Sequence, residues 1–342
     1  MRDMVWLRRP PPACERTWID VNLFLDTNIY LGFYKLSEDD LEELKKLSVT
    51  VRSKATVLYL TDQVRHEFRR NREKAISDSL AILESAKLPK SFPRLFTNLS
   101  GYTDLRTTIR QFEEQLASLL ADARQAASDG SLHADALIEE LFALAKPLEM
   151  HAEVWSAARM RRDLGNPPGK DDSYGDAVNW ESLLADVPNG EDLVLVTADL
   201  DYMSKLDRVV LDEFLRTEWE TKKCSQITAH ASLTALFKKH YPDIRLAAEL
   251  EKELAIDKLI ISSNFRSTHS AIRDLSHFSD FSPAQVGALV EAANHNSQVE
   301  QILEDDDVRA FFDNLTRTYS EVIDAKELSQ LGARLAESGE TD

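Results

Sequence analysis

Four carboxylates stand where a change of local structure would hold them in place. Asp26 closes the apolar run VNLFL and begins the tripeptide DTN, and Glu67 lies within VRHEFRRNR. Asp176 follows Gly175 at the head of the apolar-periodic AVNWESLLADV, and Asp199 follows LVLVTA. Hard divalent cations such as Mg2+ and Mn2+ take oxygen ligands, and two such ions about 3.5 to 4 Å apart can orient a water and stabilise a leaving oxygen. Four acids would neutralise two ions. Gathered without a cation, the same acids would repel one another and raise at least one pKa, so cation binding explains their assembly better than stability does. Asp201 competes with Asp199, and Asp171 and Asp172 could add to or replace Asp176.

Each acid also has a plainer use. Asp26 can close an Asx turn after a strand, and Glu67, among four arginines, can be an exposed ion-pair partner. Asp176 can complement a helix dipole, and Asp199 can serve a turn. Arg65, Arg69 and Arg72 fall at i, i+4 and i+7 on one broad helical face. With Arg70, and with Arg162 and Lys170 ahead of the third acid beside Arg159 and Arg161, they are the candidates for phosphate contact. The eight histidines show no ligand spacing, and His66 reads as a surface or supporting residue. Trp155, Trp180 and Trp219 read as core rather than as stacking platforms.

The elements that must carry these residues alternate. Residues 21 to 25 read as a buried strand and 41 to 47 as helix. The stretch 56 to 60 reads as a second strand, with Thr61 or Asp62 capping a helix that carries Glu67. Residues 75 to 165, rich in helix formers, read as a helical hairpin or small bundle inserted between β-α steps. The turn-rich GNPPGKDDSYGD leads into a helix near Asp176, and 193 to 196 is the strongest strand. The stretch SQITAHASLTALFKKHYP supplies one more strand and helix. Alternation of this kind implies an α/β fold, a mostly parallel central sheet flanked by helices, whose ligands bind beyond the carboxyl ends of the strands. From about 246 to 342 the pattern is helical and polar, with Ser282 and Pro283 as an N-cap and N1 pair; it reads as a separate module ending in an acidic tail.

Hydrophobic residues make up 43% and charged residues 29% of the 342, without an apolar run long enough to span a bilayer. No secretory signal is legible, and Cys14 and Cys224 form neither a disulfide framework nor a zinc motif, so a cytoplasmic protein with no membrane association is expected. The net charge of -18 argues globally against a polyanion partner. Locally it does not: 65 to 74 holds five bases and two acids, whereas 300 to 342 holds twelve acids and four bases.

The segments FLDTNIYL, VRHEFRRNR, YGDAVNW and LVTADLDY, in that order, resemble a PIN-domain nuclease, most closely the bacterial PIN-like proteins with an enlarged helical insertion. The resemblance covers roughly 20 to 245, with 75 to 165 as the insertion. It implies that Asp26, Glu67, Asp176 and Asp199 bind Mg2+ or Mn2+ for phosphodiester hydrolysis, and that Asn28 and Thr197 support them. It also implies a nucleic-acid substrate, RNA ahead of DNA. The alternative is a non-catalytic PIN-like module that binds RNA or protein. In either case the C-terminal helical module is expected to serve a protein partner or self-association.

Overall fold

The run that ends at Asp26 is the middle strand of a sheet in a computed structural model, which describes residues 21–35, 40–85, 88–89, 91–169, 173–242, 244–323 and 325–337. Lys170, Asp171, Asp172 and Cys14 lie outside the described residues. The chain divides into two compact units, one formed by residues 20–243 and one holding the described residues from Ile244 onward.

In the first unit β1 (Val21–Leu25) is followed by α1 (Thr27–Gly32), α2 (Leu41–Arg52), β2 (Thr56–Thr61) and α3 (Asp62–Glu84). Then come α4 (Tyr102–Asp129), α5 (His133–Leu144), β3 (Lys146–Leu148), α6 (Ala152–Asp163) and α7 (Gly175–Asp186). Last are β4 (Leu193–Val196), α8 (Glu213–Lys223), β5 (Ile227–His230) and α9 (Leu233–His240). The strands are all parallel, in the order β3-β2-β1-β4-β5. Leu23, Phe24 and Leu25 of β1 are fully buried, as a central strand covered on both faces must be. Right-handed crossovers put the connection from β1 to β2 and the connections into β4 and β5 on opposite faces. Accordingly α2 packs with α5 and α9, while α7 packs with α6 and α8.

Two local features differ from the sequence expectation. The stretch 75 to 165 is not wholly helical: Tyr59 to Thr61 of β2 pair with Lys146 to Leu148, which adds an edge strand. Its three residues, one of them Pro147, are too few to show a period, and an edge tolerates the missing N–H of proline. The other feature is α1, which begins at Thr27 where a turn is the simpler reading.

The strand order reverses direction at β1, because the chain leaves it first toward β2 and later returns to β4 on its other side. Parallel strands present their carboxyl ends at one rim, and a crevice opens where neighbouring connections part to opposite faces. That rim carries Asp26 and Thr197 side by side, since Leu25 pairs with Val196 and the Asp26 amide donates to the Val196 carbonyl at 2.9 Å.

The second unit is helical: α10 (Ala247–Ile260), α11 (Phe265–Leu275), α12 (Pro283–His295), α13 (Ser297–Glu300), α14 (Asp306–Thr318) and α15 (Ala325–Glu337). Its core gathers Leu259, Ile272, Leu289, Val290 and Phe312. Ser282 caps α12 with Pro283 in its first turn, and Gln285 completes the capping box. Among the described residues of both units, no helix is long and apolar enough to cross a membrane.

Candidate active site

Asp26 is an N-cap and a member of the acid cluster at once. Its Oδ1 accepts the Thr27 amide at 2.7 Å, which starts α1. Its Oδ2 accepts from the Asn28 side-chain amide at 2.6 Å and from the Thr197 hydroxyl at 2.7 Å. The side chain is 4% exposed. Burial pushes its pKa up from 3.8 to about 6, against the lowering effect of the Thr197 and Thr27 hydrogen bonds and with the charges of Glu67 and Asp199 adding to the rise. A carboxylate held by neutral donors, in a place where its charge is costly, is poised to receive a cation.

Thr197 and Asn28 form the hinge between the two central strands. The Thr197 hydroxyl donates to Asp26 and accepts the Asp199 amide at 3.0 Å. The Asn28 carbonyl oxygen accepts the Ala198 amide at 3.0 Å, and its amide nitrogen lies 3.3 Å from the Thr197 hydroxyl. The backbone after β4 is therefore tied to the start of α1, and Asp199 is fixed relative to Asp26 although they are far apart in sequence. Asp199 in turn accepts the Asp201 amide at 3.0 Å and caps a short 3-10 turn at Leu200–Tyr202.

Asp176 stands in the first turn of α7. Thr61, which ends β2 and caps α3, donates to Asn179 of α7 at 2.6 Å and accepts the Val64 amide at 3.1 Å. One hydroxyl thus joins β2, α3 and α7 at the rim. Gly175 is buried, and a Cβ built on it would meet the Gln63 side-chain nitrogen at 2.9 Å and a Glu67 oxygen at 3.5 Å. The absence of a side chain there lets α7 close against α3. Glu67 Oε2 accepts from the Thr27 hydroxyl at 3.3 Å and from Gln63 at 3.4 Å.

The carboxylates converge. Asp176, Asp199 and Asp201 each offer an oxygen, and these oxygens lie within 4.8 Å of one another. Asp26 and Glu67 stand outside that trio: Thr27, next to Asp26, donates to Glu67 at 3.3 Å, and the charges of Glu67 and Asp199 both act on Asp26. The Tyr202 phenol beneath them is fully buried. Its pKa is raised far above the tyrosine range by burial first, and then by the charges of Asp176, Asp26, Asp199 and Glu67. An all-oxygen donor set of this density fits a hard divalent cation such as Mg2+ or Mn2+ and does not suit a softer metal that prefers nitrogen or sulfur.

The basic candidates part ways. Arg69 and Arg70 are exposed on α3, as is His66. Arg65 lies over the Phe142 ring at 5.7 Å. Arg72 does not face outward: it grips Asp135 at 2.7 and 2.5 Å and the Ala127 carbonyl at 3.0 Å, bracing α3 against α5 and the end of α4. Arg161 is 4% exposed and binds Glu181 at 2.7 Å, Glu218 at 2.7 Å and the Pro167 carbonyl at 2.5 Å. Arg162 lies over the Tyr174 ring at 4.2 Å. Trp180 and Trp219 are core, 5.9 Å apart. Trp155 is not: it is 44% exposed.

Sequence reasoning did not single out Thr27, Gln63 or Tyr202. Tyr202 closes the segment LVTADLDY, but nothing in its immediate neighbours marks it as buried. A family model described as a PIN domain matches residues 23–202, more than half of the chain. The match runs from β1 through the turn that carries Tyr202 and contains all five acids. No curated protein and no solved structure matches the chain.

Proposed function

The chain belongs to the PIN-domain family, and from that premise we propose that it is an endonuclease that hydrolyses phosphodiester bonds, in RNA ahead of DNA, with Mg2+ or Mn2+ held by its rim carboxylates. The observation that carries this is the approach of Asp176, Asp199 and Asp201 oxygens to within 4.8 Å of one another at the strand-order reversal. These three would be the primary ligands, with Asp26 and Glu67 completing the set. When bound, the metal would lower the pKa of a water and offset the charge that builds on the scissile phosphate.

The protein's own residues supply position. Thr197 and Asn28 orient the Asp26 carboxylate, and through the Asp199 amide Thr197 keeps the two acids in a fixed relation. Thr27 and Gln63 hold Glu67 toward the same crevice. Residues that orient ligands are worth roughly tenfold to a hundredfold in metal affinity or activity elsewhere. Arg70, three residues from Glu67 on α3 and exposed, shares its side of the helix and would meet a phosphate beside the cut, whereas Arg65 and Arg69, two residues to either side of Glu67, project elsewhere. The preference for RNA and a cytoplasmic site of action belong to this proposal and rest on the family and on the composition.

The test is cleavage of labelled single-stranded RNA and DNA with Mn2+, with Mg2+ and with chelator, beside Asp199→Asn and Asp26→Asn. Metal-dependent cutting by the wild type that both variants lose supports the reading. Absence of cutting with either ion, or cutting that survives both substitutions, removes it.

A further inference from the structure

Helix α4 is the longest of the described helices, 28 residues or about 42 Å, yet Leu120 is its one buried residue. A helix in water draws most of its stability from packing an apolar face and little from propensity. The apolar face of α4 is present and in large part uncovered. Leu105, Ile109, Phe112, Leu116 and Leu119 follow one another at spacings of four, three, four and three, the 3.5-residue repeat that lets one helix wind against another. Leu105, Phe112 and Leu119 are 48%, 41% and 61% exposed, while Ile109 and Leu116 are half-buried. The far side of the helix is polar, with Arg110 paired to Glu114 at 2.9 Å.

Helix α3 meets α4 farther along. Arg72 donates to the Ala127 carbonyl at 3.0 Å, Ile76 and Leu80 share a cavity wall with Ala123, and Glu84, where α3 ends, pairs with Arg124. These contacts lie beyond Leu119, and the stripe from Leu105 to Leu119 runs on past them. Its two edges differ. Arg106 and Glu113, each one residue after a stripe leucine or phenylalanine, stand on one edge, and the uncharged Thr108 and Gln115, each one residue before Ile109 or Leu116, stand on the other. Two copies related by a two-fold axis across the helices run antiparallel, so that each edge faces its own reversed copy. With the axis beside Arg110, Leu105 of one copy meets Leu116 of the other and Ile109 meets Phe112. The charged edges then set Arg106 against Glu113 twice. Parallel copies would instead lay the charged edge along the uncharged one and form neither pair.

We infer that α4 is a dimerisation helix, which pairs antiparallel with α4 of a second copy of this chain through Leu105, Ile109, Phe112 and Leu116, with Arg106 and Glu113 setting the direction. The partner is a second copy because both the apolar repeat and the order of the edge charges fit their own reverse. The four apolar layers supply the strength, since exposed ion pairs contribute little to it, and the two pairs choose the alignment. Paired in this way, Leu105, Phe112 and their symmetry mates leave water together, which accounts for an apolar stripe that a monomer would expose to no benefit. The inference does not depend on the nuclease reading above.

The test is sedimentation equilibrium of the full-length protein in chelator over about 1 to 100 μM, a range that reads micromolar dissociation constants. Wild type is expected to pass from monomer to dimer within it. Phe112→Glu, with a thermal melt to show that it is folded, is expected to stay monomeric, a weakening of at least about a hundredfold, because two unpaired carboxylates would lie at the centre of the contact. Arg106→Glu and Glu113→Arg each set like charges against one another twice per dimer and should weaken it by up to about tenfold. The double variant Arg106→Glu with Glu113→Arg restores both pairs and should associate as the wild type does. A wild type that stays monomeric throughout overturns the inference, as does a dimer that Phe112→Glu leaves intact, since its contact would lie elsewhere. Single charge variants that associate as the wild type does, or a double variant weaker than both, overturn the antiparallel pairing.

Discussion

Two carboxylates carried within the first unit, Asp26 at the rim and Glu218 on α8, face opposite electrostatic situations. Asp26 is held by neutral donors, and its pKa rises. Glu218 is also desolvated, yet its hydrogen bonds to Lys222, Arg161 and Trp180 overcome burial and bring its pKa down. Helix α7 touches both regions: Asp176 in its first turn belongs to the rim, and Glu181 a turn and a half later binds Arg161 at 2.7 Å. The comparison teaches how to separate a site from a strut. Where the fold uses Glu218 for itself, it supplies a guanidinium from a neighbouring helix; at the rim, the donors to Asp26 are the neutral Thr27 amide, Asn28 amide and Thr197 hydroxyl.

The largest expected break is at the strut. Arg161→Ala strands Glu181 and Glu218 against a buried interface and should lower stability by about 3 to 5 kcal/mol, read in urea denaturation. The rise in melting temperature on adding Mn2+ should persist in whatever protein remains folded. If that rise disappeared with Arg161, the two regions would not be independent.

The converse substitution is at the rim. Asp199→Asn should reduce metal-dependent cleavage at least about a hundredfold, as loss of a ligand to a Lewis acid worth several kcal/mol demands. Stability in chelator should not fall, because the amide removes one charge from a crowded set. Unfolding of Asp199→Asn would mean that the carboxylate serves the fold.

The pH dependence of the metal-free protein sharpens the contrast by its sign. Asp26 has a folded pKa near 6 against 3.8 when unfolded, so the folded state binds the extra proton between those values. Its contribution to stability is greatest in acid and is lost as pH rises from about 4 to 6, amounting to about 3 kcal/mol at most. Glu218 and Asp135, with lowered pKa values, act the other way and stabilise the protein above the unfolded carboxylate range. Subtracting the stability profile of Asp26→Asn from that of wild type isolates the rim term, since any fixed cost of the amide is independent of pH. Wild-type stability minus that of Asp26→Asn should fall as pH rises from about 4 to 6 in chelator, and a difference that rises with pH would contradict the assignment.

A smaller effect belongs to Thr197→Val, which removes the hydroxyl shared by Asp26 and the Asp199 amide. Cleavage should drop roughly tenfold to a hundredfold, with the metal concentration needed for half activity rising. An unchanged metal requirement would show that the acids hold their places without it.

Much of this was legible in the chain because it is local. The apolar run before Asp26, the cap at Thr61, the strand LVLV and the Ser282–Pro283 helix start each announce themselves within a few residues. What was not legible depends on partners distant in sequence. Arg72 and Arg161 look like surface cations in their own helices, and only the packing of α5 and α8 turns them inward to Asp135 and Glu218. Trp155 carries a core residue's hydrophobicity on the stripe of α6 beside the buried one, a shift of one residue that composition cannot show. The edge strand β3 is too short for periodicity, and Lys170, Asp171 and Asp172 lie outside the described residues.

The central claim is that acids from β1, α3, α7 and the end of β4 jointly hold a hard cation, and direct Mn2+ binding tests it. Adding Mn2+ to fully chelated and desalted protein, and following the free aqueous ion by electron paramagnetic resonance, should show uptake by the wild type that Asp176→Asn loses. Equal uptake by the two proteins, or none by the wild type, would contradict it.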